Sequence, residues 1–377
     1  MSKKILITST DVMMLQFLVP HAFHLKDCGY EVEVAVSDVE GHIEELKELF
    51  EGKVKMQVVE LVRSPFSTKN LKGLSQLRGI IKDGGYDIIW TNEPVMGVMT
   101  RLAAKSVRTK AKIMYIAHGF HFYKGAPKKN WIMFFPIEKI FSRITDEIIT
   151  INQEDYAFAK KHFHKPKVVK LPGIGINTAK FEFSITEEEK LKKRAEIGID
   201  EKDRLIISVG ELETRKNHET AIRAFSKSGL TDTKLIICGV GSKEEEIRKT
   251  IAECGMQDRV FLLGYRYDIR ELCHSSDAFL FVTYQEGLSV ALMEAMSVGL
   301  PLIISRIRGN VDLVEEGDAF FCDPKDISSC ADAIKACFEN TAKWQESAEN
   351  NRSRLNEFDF ENVKKLLYNE IECLLAE

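Results

Sequence analysis

The chain has 377 residues, of which 44% are hydrophobic and 29% charged. This composition is typical of a globular protein, and at this length we expect two domains, because one hydrophobic core seldom serves so many residues. The net charge of −4 conceals an asymmetry, since residues 1–180 carry +8 and residues 181–377 carry −12. A basic first half favours an anionic partner such as a membrane surface or a phosphorylated acceptor, with ordinary surface variation as the alternative.

The eight cysteines are scattered, form no CxxC pair and do not cluster with histidine at zinc-binding spacing. Most stand in apolar segments, as expected for buried thiols in a reducing compartment. The N-terminal segment becomes polar too soon for a signal peptide, and no stretch has the length of a transmembrane helix. We therefore expect a cytoplasmic protein.

The first half predicts strands that alternate with helices, the pattern of a parallel, doubly wound sheet. The predicted strands are Ile5–Thr8, Val32–Val36, Val54–Glu60, Asp87–Thr91, Lys112–Ala117 and Glu147–Ile151. The predicted helices are a segment ending near Cys28, Ile43–Phe50, Leu71–Lys82 and a helix from about Val95. Proline and glycine then crowd Leu171–Asn177, which we take as the interdomain linker. The predicted domains are 1–175 and 176–359.

A charged helix, Thr186–Glu196, opens a second series of the same kind. Its predicted strands are Leu205–Val209, Lys234–Cys238, Val260–Leu263, Ala278–Val282 and Leu302–Ser305. Its predicted helices are Glu219–Lys227, Glu244–Glu253 and Leu288–Val298. The tail from Lys325 is helical in pattern, and its last helix, about 360–377, is expected to join the first domain. The predicted fold class is α/β, with two Rossmann-like domains facing across a cleft that lies at the carboxyl ends of both sheets.

The stretch Tyr284–Pro301 has the pattern of a strand, a tight turn and a helix that ends at Gly299. Glu286 and Glu294 bracket that helix, and eight helical residues rise about 12 Å, comparable to the span from a sugar to the ribose of a sugar nucleotide. The alternative is a pair of solvated acids, because Glu is favoured in a first helical turn. Taken alone, this stretch does not decide between a site and two helix caps.

Three further loops follow predicted strands and carry residues suited to an anionic ligand. Gly210 would let the backbone approach the ligand, and Arg215 and Lys216 lie near a helix start, where positive potential suits a diphosphate. The pair Gly239 and Gly241 fits a nucleotide contact or a tight turn equally well. The third loop begins at His118 and also contains a second histidine and an amine, His121 and Lys124. A histidine at this end of a strand would face the ligand site, although a structural histidine is the usual alternative.

Four of these elements, in this order, resemble the retaining nucleotide-sugar glycosyltransferases of family four, which have the GT-B fold. They are His118-Gly119, Gly210 with Arg215-Lys216-Asn217, Gly239-Val240-Gly241, and the acids Glu286 and Glu294. The string Ala117–Pro127 is similar to a subgroup found in bacterial capsule and exopolysaccharide gene clusters.

The resemblance implies a role for each site residue. Glu294 would bind the ribose hydroxyls, and Glu286 would lie beside the transferred sugar. The amides of Gly287 and Leu288 would lie near the diphosphate, and Lys216, helped by Arg215, would stabilise the charge on the leaving group.

The implied reaction needs no divalent metal and no other cofactor. It is a retaining, front-face displacement in which the leaving phosphate oxygen helps to remove the acceptor proton, and His118 would contact the donor sugar near the reacting carbon. Two departures stand out. Glu211 replaces a common arginine, so that either Arg215 takes over its role or Glu211 points away, and Thr8–Val12 replaces a glycine-rich loop.

The segment Gly125–Thr145 interleaves basic and bulky apolar residues, as an interfacial segment does. We expect acceptor or membrane contacts from its bases and rings, which are Lys124, Lys128, Lys129, Trp131, Phe134 and Phe135. A core helix with a few surface lysines is the alternative, and Pro136 would interrupt either one.

The sequence therefore predicts a metal-independent glycosyltransferase, peripheral on the inner face of the cell membrane. It would move a hexose or N-acetylhexosamine, with UDP as the favoured carrier, to a lipid-diphosphate-linked sugar during assembly of capsular, exo- or lipopolysaccharide. The alternatives are transfer to a small soluble acceptor, a sugar-nucleotide epimerase of the same two-domain architecture, and a non-catalytic binding protein. Nucleic-acid binding has little support, because the second half is acidic and no stacking motif is present.

Overall fold

The computed structural model describes residues 2–10, 12–39, 41, 43–50, 52–64, 67–178 and 184–377. The chain divides into two compact units, Met1–Gly175 with Glu361–Glu377, and Ile176–Phe360. The loop Thr8–Val12 noted above contains Asp11, which lies outside the described residues. Within the described ranges, no helix combines the length and the apolarity needed to cross a bilayer.

The first unit is built on a parallel sheet, which has seven strands among the described residues. The strands are β1 (Lys4–Ser9), β2 (Glu31–Val36), β3 (Lys55–Val58), β4 (Ile88–Asn92), β5 (Lys112–Ala117), β6 (Glu147–Thr150) and β7 (Lys167–Lys170). They lie in the order β3-β2-β1-β4-β5-β6-β7. The central strands are mostly apolar and are buried after their first residues, as expected for a parallel sheet with helices on both faces.

Helices connect these strands, and the C-terminal helix completes the unit. They are α1 (Val12–Leu15), α2 (Val19–Asp27), α3 (Ile43–Leu49), α4 (Asn70–Gly84), α5 (Pro94–Val107), α6 (Lys128–Ser142), α7 (Gln153–His162) and, after the second unit, α16 (Phe360–Ala376). The helix α6 runs through Pro136, so the prediction that this proline interrupts the segment is wrong. Aromatic side chains on its inner side pack against the core and hold the helix despite the missing hydrogen bond.

The second unit repeats the design with a parallel sheet of six strands in its described part. They are β8 (Arg204–Val209), β9 (Thr233–Cys238), β10 (Val260–Gly264), β11 (Ala278–Phe281), β12 (Leu302–Ser305) and β13 (Phe320–Cys322). The helices are α8 (Glu187–Glu196), α9 (His218–Lys227), α10 (Glu244–Glu253), α11 (Ile269–His274), α12 (Val290–Val298), α13 (Asn310–Leu313), α14 (Ile327–Glu339) and α15 (Trp344–Leu355). The strand order is β10-β9-β8-β11-β12-β13.

Both sheets thus have the order 3-2-1-4-5-6 of a doubly wound fold, with β7 added at one edge of the first sheet. The strand order reverses between β1 and β4 in the first unit and between β8 and β11 in the second. Ligands of open α/β sheets bind outside the carboxyl ends of the strands at such a reversal. The loops after these four strands are therefore where a site is sought.

Candidate active site

A buried ion pair occupies the point of reversal in the second unit. Lys216 ends a short 3₁₀ turn in the loop after β8, and Glu286 lies in the loop after β11. The Lys216 Nζ lies 2.8 Å from Glu286 Oε1, and the two side chains are only 10% and 8% exposed. Thr283 donates a hydrogen bond to the same carboxylate oxygen at 3.0 Å. The chain therefore brings together two of the predicted catalytic residues, which are 70 positions apart.

Two neighbours define where the Lys216 side chain lies. Its ammonium is 4.9 Å from the centre of the Phe281 ring, within the range of a cation–π contact. A Cβ atom at Gly210 would lie 3.2 Å from Lys216 Cδ, which is tighter than ordinary packing. In this structure Gly210 makes room for the lysine stem. The sequence interpretation gave it a different task, the approach of the backbone to a ligand.

Arg215 pairs with Glu211, the acid that stands where an arginine is common in the family. Its Nη2 lies 2.5 Å from Glu211 Oε2, and its Nη1 lies 3.7 Å from Glu286 Oε1. The extra acid is therefore neutralised by the neighbouring arginine, whose side chain is 44% exposed. The loop after β8 thus carries two cations, Arg215 and Lys216, and two acids, Glu211 and Glu213.

Gly239 and Gly241 allow two loops to pack backbone against backbone. A Cβ atom at Gly239 would lie 2.0 Å from the Gly210 carbonyl oxygen, and one at Gly241 would lie 2.5 Å from that of Leu212. The Gly210 amide also donates to the Cys238 carbonyl at 3.0 Å. Close packing of the two loops, which neither sequence interpretation included, accounts for both glycines.

The helix α12 follows the Glu286 loop and begins two residues later than predicted. Ser289 caps it by accepting a hydrogen bond from the Leu292 amide, so Gly287 and Leu288 belong to the loop before the helix. A Cβ atom at Gly309 would lie 2.4 Å from the Gly287 carbonyl oxygen, so the loop after β12 supports this turn closely. The Gly287 and Leu288 amides thus stand at the N-terminal end of a nine-residue helix.

Glu294 lies on α12 in a largely apolar setting. Burial raises the pKa of its carboxyl to about 7, and Arg270 opposes this shift only in part. No described residue donates a hydrogen bond to this carboxylate. The acid is therefore poised between its two protonation states at neutral pH, and a ligand with hydroxyl donors would favour the ionised one.

His118 lies directly after β5 in the first unit, where the sequence places it. Its Nε2 is 3.1 Å from Asn92 Oδ1 at the end of β4. Burial lowers the pKa of the imidazole to about 4, so the ring is neutral at neutral pH. It belongs to the first unit, whereas the Lys216–Glu286 pair belongs to the second.

The aromatic side chains of α6 are less exposed than the predicted interfacial segment implies. Trp131, Phe134 and Phe135 are partly buried and pack on a cluster that includes Phe120 and Phe122. These apolar side chains thus help to complete the core of the first unit, and their contact with an acceptor or a membrane stays a prediction.

The outer side of α6 still has a mixed basic and apolar character. Lys128 and Lys129 are exposed, as is Lys124 in the preceding loop. Ile132 and Ile140 are 76% and 60% exposed. The acid of this segment, Glu138, is buried and pairs with Arg101 at 3.0 Å. The exposed side of the helix is thus cationic with two apolar protrusions.

Several residues that shape these sites escaped the sequence interpretation. They are Phe281 and Thr283 beside the ion pair, and Trp90, Asn92 and Glu93 at the end of β4. Their positions at the carboxyl ends of buried strands were a usable signal. Phe281 and Trp90 looked like ordinary core residues, and Thr283 and Asn92 form no recognisable motif.

Comparisons with known proteins agree with the geometry of both units. The profile described as glycosyl transferases group 1 matches residues 189–354, and that described as glycosyltransferase family 4 matches residues 20–179. EpsD of Bacillus subtilis (strain 168), a glycosyltransferase by name, is 34% identical over 334 residues, which cover 85% of this chain and 83% of EpsD. The chain belongs to glycosyltransferase family four.

One further relative and one solved structure are also similar to this chain. An Escherichia coli UDP-Gal:alpha-D-GlcNAc-diphosphoundecaprenol alpha-1,3-galactosyltransferase is 28% identical over 284 residues, covering 74% of this chain and 73% of its own. The crystal structure of Anabaena HepE in complex with UDP and glucose superposes with a TM-score of 0.81 at 18% identity, over 98% of this chain and 100% of HepE. The family-four chain therefore has the two Rossmann-like domains of GT-B enzymes, as predicted.

Proposed function

We propose that this glycosyltransferase moves a hexose or N-acetylhexosamine from a UDP-sugar to a lipid-diphosphate-linked sugar during surface-polysaccharide assembly. The observation that carries the proposal is the buried Lys216–Glu286 pair with Arg215 beside it, at the strand reversal of the second unit. One relative and one solved structure support the choice of substrate classes. The E. coli enzyme is named for UDP-Gal and a diphosphoundecaprenol-linked sugar, and HepE was crystallised with UDP and glucose.

Glu294 is the proposed ligand of the nucleotide ribose. Its carboxylate accepts no hydrogen bond from the described residues, and burial keeps its pKa near 7. Two ribose hydroxyls would satisfy it and would stabilise the ionised form. Ionisation of this buried acid destabilises the free protein, whereas the bound nucleotide would supply the hydrogen-bond donors that the carboxylate needs.

The diphosphate is the proposed partner of Lys216 and Arg215. When it arrives, the ammonium exchanges part of its contact with Glu286 for the phosphate oxygens, and Glu286 then accepts from the sugar. As the bond from the anomeric carbon to the diphosphate oxygen breaks, negative charge grows on that oxygen. The two cations and the amides of Gly287 and Leu288 stabilise it, which is where electrostatic catalysis is most effective.

The bond to the acceptor oxygen forms on the same face of the sugar. The acceptor hydroxyl proton passes to the departing diphosphate oxygen, so the products are the α-linked sugar and the nucleoside diphosphate. His118, neutral in this structure, contributes a hydrogen bond to the sugar. No metal takes part in the proposed reaction, because side-chain cations supply the charge.

The outer side of α6 is the proposed membrane contact, with the exposed lysines toward anionic headgroups and Ile132 and Ile140 in the interfacial layer. The protein should sediment with vesicles that contain anionic lipid and be released at high salt. Reversing Lys128 and Lys129 to Glu should weaken this sedimentation, whereas the same reversal at the exposed Lys249 of the second unit should not. Equal binding to neutral vesicles would refute the electrostatic part.

A panel of nucleotide sugars, assayed with and without membrane lipid extract, tests the function as a whole. The proposal predicts transfer of label to extractable lipid from one UDP-sugar. Transfer to a small soluble acceptor would instead support the first alternative, and conversion of the sugar nucleotide without any acceptor would support an epimerase.

A further inference from the structure

The side-chain amide of Asn92 has an orientation that its neighbours determine. Trp90 Nε1, which can only donate, lies 3.1 Å from Asn92 Oδ1. The carbonyl oxygen of Thr8, which can only accept, lies 3.1 Å from Asn92 Nδ2. Trp90 and Asn92 are fully buried, so water does not compete for these bonds. Turning the amide over would set two donors against each other and two acceptors against each other, which excludes the alternative orientation.

The orientation of Asn92 determines the protonation of His118. The Nε2 atom of His118 lies 3.1 Å from Oδ1, an oxygen that can only accept. Nε2 must therefore carry a proton and donate. A neutral imidazole has one protonated nitrogen, so Nδ1 has a lone pair and is an acceptor. No described residue bonds to Nδ1.

The charge state of the ring agrees with this assignment. Burial lowers the pKa of His118 to about 4. Titratable groups on the elements around it are bonded elsewhere. Glu93 accepts from Ser9 Oγ at 2.7 Å and from the Thr10 amide at 2.6 Å, while Tyr115 and Arg101 bond to Glu138. The ring is thus neutral and held in one tautomer.

We propose that Asn92 and Trp90 are positioning residues, which hold His118 in the Nε2–H tautomer so that Nδ1 accepts a hydrogen bond from a hydroxyl of the bound sugar. The sugar as the ligand rests on the proposed function, whereas the tautomer does not. The opposite tautomer would present a donor at Nδ1, and the imidazolium would present donors at both nitrogens. Only the Nε2–H form offers Nδ1 as an acceptor.

Nitrogen NMR of the whole protein labelled with ¹⁵N-histidine reads the tautomer directly. Protonated and unprotonated ring nitrogens resonate in separate ranges, and the signal missing in His118→Gln identifies the ring among the nine histidines. The expected result at pH 7 is a protonated Nε2 and an unprotonated Nδ1. A protonated Nδ1, or a mixture of tautomers, would overturn the proposal without any variant of Asn92.

The variant Asn92→Asp tests whether residue 92 determines the protonation of His118. A carboxylate would accept from Trp90 and His118 as Asn92 does, although it would lose the hydrogen bond that Asn92 Nδ2 donates to the Thr8 carbonyl. Its charge would stabilise the imidazolium and raise the pKa of His118 by about one to three. At saturating UDP-sugar, the transfer rate of this variant should fall toward acidic pH with that titration, beyond the pH dependence of the unaltered protein, and this added fall should vanish when His118→Gln is added.

The outcomes separate the inference from the proposed function. An unchanged His118 titration in Asn92→Asp would refute the positioning role. So would persistence, in the double variant, of the additional acid limb that Asn92→Asp introduces relative to the unaltered protein. If no nucleotide sugar supports transfer while the tautomer and its titration are as expected, the proposed function and the sugar hydroxyl as the ligand are refuted. The role of Trp90 and Asn92 in holding the tautomer of His118 would still stand.

Discussion

The two units place a glutamate at corresponding points and give it different partners. Each sheet reverses order between its first and fourth strands, and in each a glutamate after the fourth strand bonds to the loop after the first. In the first unit Glu93 accepts from the Ser9 hydroxyl and the Thr10 amide, which are neutral. In the second unit Glu286 accepts from the Lys216 ammonium. One topology thus supports a carboxylate with neutral donors and a carboxylate paired with an ammonium.

The different partners of Glu93 and Glu286 separate the role of the strand order from that of the loop residues. The strand order determines where side chains converge, whereas the residue types in the loops determine the charge presented there. The second unit presents Lys216 and Arg215, which suit a leaving diphosphate. The first presents a neutral His118, which suits a hydroxyl. The predictions below test this contrast.

The largest effect is expected at the cation of the charged pair. Lys216→Ala should lower kcat by about 10²–10³-fold, because a preorganised group facing the developing charge is lost. The matched control is Lys249→Ala, at an exposed position on α10, which should leave the rate unchanged. Circular dichroism should show that both variants are folded. A fully active Lys216→Ala would show that the pair is structural.

The next effect concerns Glu294 and the binding of UDP. Its pKa of about 7 in the free protein should fall when the ribose hydroxyls bind, so affinity should weaken as the pH drops below 7, by up to about tenfold per pH unit. Calorimetric titrations between pH 5 and 8 measure this change. Glu294→Gln serves as the control, because the phosphate titration of UDP is the same for both proteins. Parallel pH profiles would contradict the assignment.

The same acid should reduce the stability of the free protein above neutral pH. The pKa of Glu294 is higher in the folded protein than in the unfolded chain. The free energy of unfolding therefore decreases as the pH rises from about 4.5 to 7. Glu294→Gln should therefore raise the free energy of unfolding of the second unit at pH 8, by up to about 3 kcal/mol, and much less at pH 5. Urea unfolding at both pH values measures the difference, and equal gains would refute it.

A smaller effect is expected from the backbone of Glu93. Its φ of 62° and ψ of 158° lie in a region that strongly favours glycine. Glu93→Gly and Glu93→Ala both lose the carboxylate bonds, but only the alanine keeps the strain, so the glycine variant should be more stable by about 1–3 kcal/mol. Thermal unfolding of the two variants checks this. An alanine variant as stable as the glycine variant would show that the turn is relaxed.

The smallest effect is expected from removal of divalent metal. Since Lys216 and Arg215 supply the positive charge in the proposed reaction, a chelator should leave the rate of transfer unchanged. Restoration of a lost rate by added Mg²⁺ or Mn²⁺ would show that the two cations are insufficient.

The fold was largely predictable because its central strands and its helices have strong patterns. Lys112–Ala117, Leu302–Ser305 and the helix Glu244–Glu253 are confirmed to the residue. The strands β7 and β13 were missed. They have four and three residues and lie at sheet edges, where the apolar run is short.

The residues of the candidate site could be named from the sequence, but the contacts between them could not. Glu286 and Lys216 could be named from their motifs, whereas the bond between them depends on β8 and β11 being neighbours in the sheet. The tautomer of His118 depends in the same way on Asn92, a residue on a neighbouring strand. The composition of α6 suggested a membrane face, but it could not tell which side of the helix completes the core.

The contrast between the two glutamates can be tested most directly by neutralising each in turn. Transfer from the preferred UDP-sugar should be compared under single-turnover conditions for Glu286→Gln, Glu93→Gln and the unaltered protein. We expect a loss of about 10²–10³-fold for Glu286→Gln, because the charge that orders Lys216 and the sugar is gone. We expect less than about a tenfold loss for Glu93→Gln, since glutamine still accepts from the Ser9 hydroxyl and the Thr10 amide. Equal losses at the two positions would contradict the different roles of the two glutamates.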